Sequence, residues 1–181
     1  MKNYKLNDFC FIDKINFHEQ TKNIILDSIE NFVKDNRVEG HDGQFISNTD
    51  WNIDSSVQRK WFDIFMSYNK EQVFEMYANI FKDFKIENFH ITNWWFQQYE
   101  NNSSHGWHNH GGCNFSNVYY LELPEDSSPT EFYNFDGGTE FANVKEGDLI
   151  IFPAHIPHRA ANNSEKRRSV LVFNSNVQIV E

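Results

Sequence analysis

Five of the eight histidines fall between positions 105 and 158, and this cluster carries the chemistry that the sequence predicts. His108 and His110 are two residues apart, so on a β-strand their side chains would leave the same face. His158 follows residues 147–153, which have the pattern of a turn and a buried strand. Three imidazoles from two strands leave coordination positions open for a substrate and oxygen. His108, His110 and His158 are therefore predicted to bind a redox or Lewis-acid metal.

The other histidines are weaker candidates. His105 lies an odd number of residues before His108 and is expected to face the opposite side of a strand. His155 lies in a proline-bounded loop just before His158 and could compete with it as a ligand, although His158 is preferred. The isolated histidines are interpreted as ordinary hydrogen-bonding side chains: His18, His41 and His90.

Two arginines, Arg167 and Arg168, open an apolar strand shortly after the third histidine. A guanidinium at the inner end of such a strand can hold a dicarboxylate through two parallel hydrogen bonds. A solvated pair of charges at the start of a strand is the alternative. Coming after the histidine cluster, the pair is interpreted as an anchor for an acidic cosubstrate.

The elements that must position these residues are helical in the first half of the chain and β in the second. Residues 21–34 predict one amphipathic helix, and residues 56–84 predict two helices with a break near Tyr68 and Asn69. Residues 39–53 predict an irregular surface loop of the kind that often binds ligands. Strands are predicted at residues 91–99, 115–123, 131–135, 149–152 and 169–179. The prediction is a mainly β α+β fold, an antiparallel sandwich or jelly roll.

Length and composition favour one domain over residues 1–181, with a helical support region and loop at 1–88 and a β core at 89–181. The 16 Lys and Arg against 26 Asp and Glu give a net charge of −10, which repels nucleic acid. The two cysteines, Cys10 and Cys113, are too few for a disulfide framework or a thiolate zinc site. With neither a signal peptide nor a membrane-spanning segment in the sequence, a cytoplasmic protein without membrane partners is expected.

Residues 91–174 resemble the Fe(II)/2-oxoglutarate-dependent oxygenases, in particular the prolyl-hydroxylase-like branch and its small bacterial and phage-type members. The resemblance lies in the order and spacing of several short motifs rather than in any one of them. These are Tyr99 leading to His108-Asn109-His110, then Val118-Tyr119-Tyr120-Leu121, then residues 146–153 with Pro157-His158, and finally Arg168 heading a strand that ends Phe173-Asn174.

The resemblance implies a double-stranded β-helix, a cupin-like jelly roll, with the N-terminal helices packed on its larger sheet. His108 and His158 would be the two iron-binding histidines. Arg168 would pair with the distal carboxylate of 2-oxoglutarate, and Tyr119 would donate a hydrogen bond to that carboxylate, with Tyr99 also in the cosubstrate site. Arg167 is a rival to Arg168, because the Arg-x-Ser pattern of the family fits Arg167-Arg168-Ser169 literally.

The sequence departs from the family at His110, where most members have Asp. With an Asp ligand, Fe²⁺ and the 2-oxoglutarate dianion sum to a charge of −1, whereas a neutral imidazole makes the sum zero. Three outcomes are open: a three-histidine iron site, a two-histidine site with His110 turned away, or a site without turnover. The first is favoured.

The activity implied is hydroxylation of a C–H bond with release of succinate and CO₂, using Fe(II), 2-oxoglutarate and O₂, with ascorbate in a supporting role. The substrate would be a small molecule, amino acid or peptide side chain, and desaturation or cyclisation would use the same iron. The substrate is expected to bind at the mouth of the β-helix, which would be formed by Trp94 or Trp107 together with residues 39–53 and 100–106. The sequence leaves the oligomeric state open, a homodimer included.

Two other classes of function stay in play. A cupin-type three-histidine metalloenzyme that uses no 2-oxoglutarate is suggested by residues 153–158 and Asn162, which partly match a cupin motif. The first cupin motif also requires a Glu soon after the histidine pair, where Asn114 and Phe115 stand instead. The third class is a catalytically silent binding module, supported only by the histidine at position 110.

Overall fold

The architecture is a pair of antiparallel β-sheets with two helices packed on one of them. The computed structural model describes residues 9–36, 46–134 and 137–180. In chain order the elements are β1 (Phe11–Lys14), α1 (His18–Asn36), β2 (Asn48–Thr49), α2 (Lys60–Ile80), β3 (Lys85–Tyr99), β4 (His105–His108), β5 (Phe115–Glu122), β6 (Thr130–Tyr133), β7 (Thr139–Phe141), β8 (Asp148–Pro153), β9 (His158–Ala160) and β10 (Arg168–Val180).

The larger sheet has six strands in the order β1-β8-β5-β10-β3-β2, and the smaller sheet has four in the order β4-β9-β6-β7. The long strands β3 and β10 pair along their whole length, from Arg168 opposite Tyr99 to Val180 opposite Lys85. Strands adjacent in space are mostly distant in sequence. The prediction of a mainly β, antiparallel fold with N-terminal helices is confirmed at this level.

Both helices lie on the outer face of the larger sheet. Helix α2 has a buried stripe at every fourth residue, and each of its side chains is 0% exposed: Trp61, Phe65, Asn69, Val73 and Tyr77. This stripe and the apolar face of α1 share one core with Phe96, Leu171 and Phe173 of the sheet. Burying each large apolar side chain stabilises the fold by about 1.5–3 kcal/mol, so this layer contributes much of the stability of the sheet.

The opposite face of the larger sheet packs against the smaller sheet. Residues next in sequence to those of the helix-side core point here, among them Trp95, Val118 and Val172. Phe132 and Ala160 of the smaller sheet complete this second core. Both faces of β5 and β10 are buried, so these strands have nearly continuous apolar sequences. Such runs are the pattern from which the strands at 115–123 and 169–179 are predicted.

Two expectations about the first half of the chain were wrong. Helix α2 is continuous through Asn69, because that side chain lies on the buried stripe and its Nδ2 donates to the Phe65 carbonyl at 2.9 Å. The region is also not purely helical, since β1 and β2 form the two edges of the larger sheet. Of the predicted loop at 39–53, residues 39–45 lie outside the described residues, as do His41 and residues 135–136 of the predicted strand and turn.

Neither of the two helices in the described parts of the chain combines the length and the apolar character that crossing a bilayer requires.

Candidate metal centre

His108, His110 and His158 lie together in a pocket between the two sheets. Each offers one ring nitrogen, and these three atoms all lie within 4.8 Å of one another. His108 ends β4 and is paired with His158, the first residue of β9. His110 lies two residues beyond β4, where its backbone N–H donates to the Ala154 carbonyl at 2.9 Å. Two adjacent strands and one anchored turn therefore bring the three imidazoles to one point.

The hydrogen bonds of His108 and His158 determine which nitrogen is available to a metal. Nδ1 of His108 lies 2.8 Å from the Gly106 carbonyl, and Nδ1 of His158 lies 2.9 Å from the Ile156 carbonyl. A carbonyl oxygen can only accept, so in the neutral rings Nδ1 carries the proton. Nε2 of each ring keeps its lone pair, the arrangement found in histidines that bind metals.

Burial keeps these imidazoles neutral. It lowers the pKa of His108 to about 4, against the opposing hydrogen bond to Gly106. Burial also lowers the pKa of His110, and it lowers that of His158 well below the ordinary value, with the neighbouring His108 adding to the effect. At neutral pH the three rings therefore present lone pairs without having to release protons first.

Arg168, the first residue of β10, lies in the same pocket and is only 2% exposed. Its guanidinium carbon lies 4.2 Å from the centroid of the Tyr99 ring, and Nη1 donates to the Ser128 carbonyl. Nε and Nη2 have no hydrogen-bond partner among residues 9–36, 46–134 and 137–180. Burial lowers the pKa of Arg168 from its ordinary value. Two donors of a buried cation are thus available to an anionic ligand.

Arg167 occupies a different environment. Its guanidinium donates to both carboxylate oxygens of Glu122, at 2.8 and 3.1 Å, and lies 3.5 Å from Glu30. Strand alternation sends the two neighbouring arginines to opposite faces. Of the two rivals, the structure places Arg168 beside the histidines and Arg167 in surface ion pairs.

The expected position of Tyr119 is corrected. Its side chain points toward the helices, and its hydroxyl lies 2.6 Å from Nδ1 of the buried His18. The next residue, Tyr120, lines the pocket, and its hydroxyl donates to Thr130 Oγ1 at 2.8 Å. Adjacent residues of a strand face opposite ways, and the sequence does not say which of two consecutive tyrosines faces inward. Tyr99 does line the pocket.

The expectation for His105 was also wrong. This side chain is 3% exposed, lines the pocket and stacks on His108 with ring centroids 3.8 Å apart. The reason is a register irregularity in β4 between His105 and His108, which shifts the simple alternation of the strand. His155 is exposed and is not among the residues that line the pocket. His18, hydrogen-bonded to Tyr119, has the structural role expected of it.

The tryptophan that lines the pocket is neither of the two expected at its mouth. Trp94 stacks on Phe62 in the helix-side core, and Trp107 is exposed beneath the Arg159 guanidinium. Trp95 lines the pocket instead, and Trp51 stacks on it at 5.7 Å. Trp51 lies within residues 39–53, the loop expected to contribute to the mouth, but this tryptophan was not singled out there, and a Trp within a Gly- and Asn-rich stretch was the signal that could have identified it.

These residues fit both groups that the resemblance implies. Three neutral imidazoles with Nε2 available suit a first-row divalent metal such as Fe(II). The two donors of Arg168 that have no partner within the described residues suit a carboxylate, because a planar guanidinium binds it through two parallel hydrogen bonds. Metal and carboxylate would share one pocket.

No protein-family profile matches the sequence, and none of the curated proteins matches it. Solved structures do match. An oxidoreductase of the 2OG-Fe(II) oxygenase family from Burkholderia pseudomallei has a TM-score of 0.55 and 14% identity, over 64% of this chain and 57% of that one. A prolyl-4-hydroxylase from Pseudomonas putida has a TM-score of 0.65 and 14% identity, over 93% and 92% of the two chains.

A prolyl hydroxylase from Trichoplax adhaerens, solved with a peptide of the hypoxia inducible factor oxygen degradation domain, has a TM-score of 0.65 and 12% identity. That match covers 91% of this chain and 82% of the other. The chain therefore spans little more than half of the Burkholderia protein but most of both prolyl hydroxylases. At these identities the likeness concerns the fold, and the chain has the fold of the 2-oxoglutarate-Fe(II) oxygenases and prolyl hydroxylases, as its sequence motifs predicted.

Proposed function

We propose that the protein is an Fe(II)- and 2-oxoglutarate-dependent dioxygenase that hydroxylates a small molecule, amino acid or peptide side chain, releasing succinate and CO₂. The observation that carries this proposal is the combination in one pocket of three neutral imidazoles and a buried guanidinium, two nitrogens of which have no partner in the part of the chain that the structure describes. The two facing antiparallel sheets support a double-stranded β-helix as the scaffold.

Each residue has a role in this proposal. His108, His110 and His158 would hold the iron through Nε2, and Arg168 would bind the distal carboxylate of 2-oxoglutarate. Tyr99 would form the wall behind the guanidinium, and Tyr120 takes the place proposed from the sequence for Tyr119. When bound, iron and 2-oxoglutarate supply the oxidative decarboxylation that drives hydroxylation.

Charge supports an acidic cosubstrate. The three imidazoles are neutral, so a bound Fe²⁺ and the Arg168 cation would together place three positive charges in the pocket. A dianion that reaches both of them reduces this sum to +1, which removes most of the electrostatic cost of burial. Apolar walls formed by Val118, Val170 and Val172 exclude water from the same space.

The substrate would enter at the mouth formed by Trp51 and Trp95. The Trichoplax prolyl hydroxylase was solved with a peptide, which supports a peptide among the proposed substrate classes. The three-histidine donor set also supports a second candidate, a cupin-type metalloenzyme that uses no 2-oxoglutarate.

Thermal unfolding without oxygen separates these candidates. With Mn²⁺ in place of Fe²⁺, 2-oxoglutarate at a hundred times its Kd should stabilise the protein by about 2.7 kcal/mol, raising Tm by about 5–10 °C. Succinate, the shorter dicarboxylate that lacks the keto group, is the matched control and should give a smaller shift. Stabilisation by Mn²⁺ alone, with no response to 2-oxoglutarate, would reject the oxygenase and favour the second candidate.

A further inference from the structure

His110 is the ligand that departs from the usual Asp, and its ring is held differently from the other two. His108 and His158 each use a backbone carbonyl two residues away. Nδ1 of His110 instead lies 2.8 Å from Asn174 Oδ1 and 2.8 Å from Ser116 Oγ, two side chains of the larger sheet. The orientation of the His110 ring therefore depends on two side chains, and each of them can be replaced by a single substitution.

Ser116 and Asn174 form a buried pair. They stand opposite each other on β5 and β10, are 0% and 4% exposed, and the Ser116 hydroxyl donates to Asn174 Oδ1 at 2.9 Å. With the hydroxyl proton directed to the amide oxygen, that oxygen rather than the amide nitrogen faces His110. The pair presents an acceptor to Nδ1.

The direction of this hydrogen bond decides whether His110 can bind a metal. If Nδ1 donates to Asn174, Nε2 keeps its lone pair and can be a ligand. If Nδ1 instead accepted a proton from the Ser116 hydroxyl, the ring proton would sit on Nε2 and block coordination. The hydrogen bond from Ser116 to Asn174 occupies that hydroxyl proton and so favours the first arrangement.

We infer that Ser116 and Asn174 are positioning residues that make His110 the third metal ligand, by fixing its tautomer and turning Nε2 toward His108 and His158. An Asp at position 110 would need no such acceptor, because a carboxylate carries no ring proton. The inference rests on the proposed metal site and explains how that site accommodates a histidine in place of a carboxylate.

Co²⁺ binding tests the inference without relying on turnover, because the visible spectrum of the ion reports its coordination and a titration gives its affinity. Asn174→Leu removes the acceptor and should weaken Co²⁺ binding about 10–100-fold, the usual effect of losing such a partner. Its spectrum should match that of His110→Ala. Asn174→Asp keeps a side-chain oxygen, now of a carboxylate, that can accept the Nδ1 proton of His110, so it should retain the Co²⁺ affinity of the wild type.

A double-mutant cycle separates positioning from a general structural effect. Once His110 is removed, Asn174→Leu should have no further effect on Co²⁺ affinity, because it acts only through that ring. Asn93→Leu is the matched control, since Asn93 pairs with Asn174 on the neighbouring strand β3 and is exposed. It should bind Co²⁺ like the wild type.

Ser116→Ala gives a gentler test if Asn174→Leu does not fold, and a several-fold loss of Co²⁺ affinity with an altered spectrum is expected. Wild-type affinity and spectrum in Ser116→Ala and Asn174→Leu would overturn the inference, as would additive losses in the cycle. If the wild-type protein itself binds no Co²⁺, it is the proposed function that fails.

Discussion

A buried cation and three uncharged imidazoles share one pocket, and their charges govern what this site can bind. Two nitrogens of Arg168 are without partners in the described parts of the chain. A buried charge left uncompensated costs several kcal/mol, so the pocket is electrostatically strained until an anion enters. At the scale of single residues, Arg168 is therefore expected to lower the stability of the ligand-free protein while it raises the affinity for an anionic cosubstrate.

Replacing Arg168 tests this trade-off. Arg168→Met keeps much of the side-chain volume and removes the buried charge, so the ligand-free protein should become more stable by about 1–4 kcal/mol in urea unfolding. The same variant should lose the rise in Tm caused by 2-oxoglutarate. Arg167→Met, which breaks surface ion pairs, should lose at most about 1 kcal/mol and keep that response. An Arg168→Met protein still stabilised by 2-oxoglutarate would contradict the role proposed here.

The histidines predict how stability depends on pH. Burial lowers the pKa of His108 to about 4, whereas an unfolded chain has a histidine pKa of about 6.5. Between these values the unfolded state takes up a proton that the folded state does not, so the free energy of unfolding falls as the pH falls. The loss is at most about 1.4 kcal/mol per pH unit for each such histidine.

Metal-free protein unfolded in urea at pH 7 and pH 5 provides the measurement. His108→Gln removes one titrating group and should reduce the difference in stability between the two pH values. His90→Gln, at an exposed position of β3, is the control and should leave it unchanged. Equal pH dependence in His108→Gln and the wild type would show that burial does not hold this ring neutral.

At the scale of elements, strand alternation decides which side chains reach the pocket. Runs such as Val118-Tyr119-Tyr120-Leu121 are apolar on both faces, so the sequence predicts the strand but not its inward face. The type and spacing of His108, His110 and His158 were sufficient to predict that they meet, whereas Arg168 was preferred through the resemblance and Arg167 was left as a rival. The places of Tyr120 and His105 were not predictable, because they depend on strand facing and on an irregularity within β4.

Paired tyrosine variants test the assigned facing of β5. Tyr119→Phe loses the hydrogen bond to His18 and should destabilise the fold by about 1 kcal/mol, while the Tm response to Mn²⁺ and 2-oxoglutarate stays as in the wild type. Tyr120→Phe, in the pocket, should reduce that response. The reverse pattern, with only Tyr119→Phe affecting the cosubstrate, would mean that the strand faces the other way.

The segment before α2 is held by a buried ion pair next to Trp51, which stacks on a residue that lines the pocket. Asp50 is 0% exposed, accepts the Phe96 N–H at 2.8 Å and pairs with Arg59 at 2.6 Å. Burial raises the pKa of Asp50 to about 6, so this carboxylate is ionised at pH 8. Trp51, the next residue, stacks on Trp95. The pair thus ties the segment that carries Trp51 to β3.

Removing Asp50 should be costly, because it leaves the Arg59 cation buried without its counter-ion. Asp50→Ala is expected to lower the free energy of unfolding at pH 8 by about 3–5 kcal/mol in urea. Asp63→Ala, at an exposed carboxylate in the first turn of α2, should lower it by at most about 1 kcal/mol. If the two variants lose similar amounts of the free energy of unfolding, the ion pair between Asp50 and Arg59 does not stabilise this segment.

At the scale of the whole molecule, the two sheets bring together residues that are far apart in the chain. Helical stripes and long apolar strands are local patterns, so the sequence predicted the two helical regions, although with a break that α2 does not have, and the antiparallel β half. The edge strands β1 and β2 were not predicted, because segments of four and two residues are too short to show a period. Their places depend on pairing with distant strands, which one sequence does not encode locally.

The proposed function requires that this assembly turn over 2-oxoglutarate with iron. The most direct measurement is succinate formation by the purified protein supplied with Fe²⁺, 2-oxoglutarate and oxygen. Succinate should form only when both Fe²⁺ and oxygen are present, and none should form in His158→Ala. A protein that binds Fe²⁺ and 2-oxoglutarate but forms no succinate, alone or with candidate substrates, would contradict the account and identify a catalytically silent binding module.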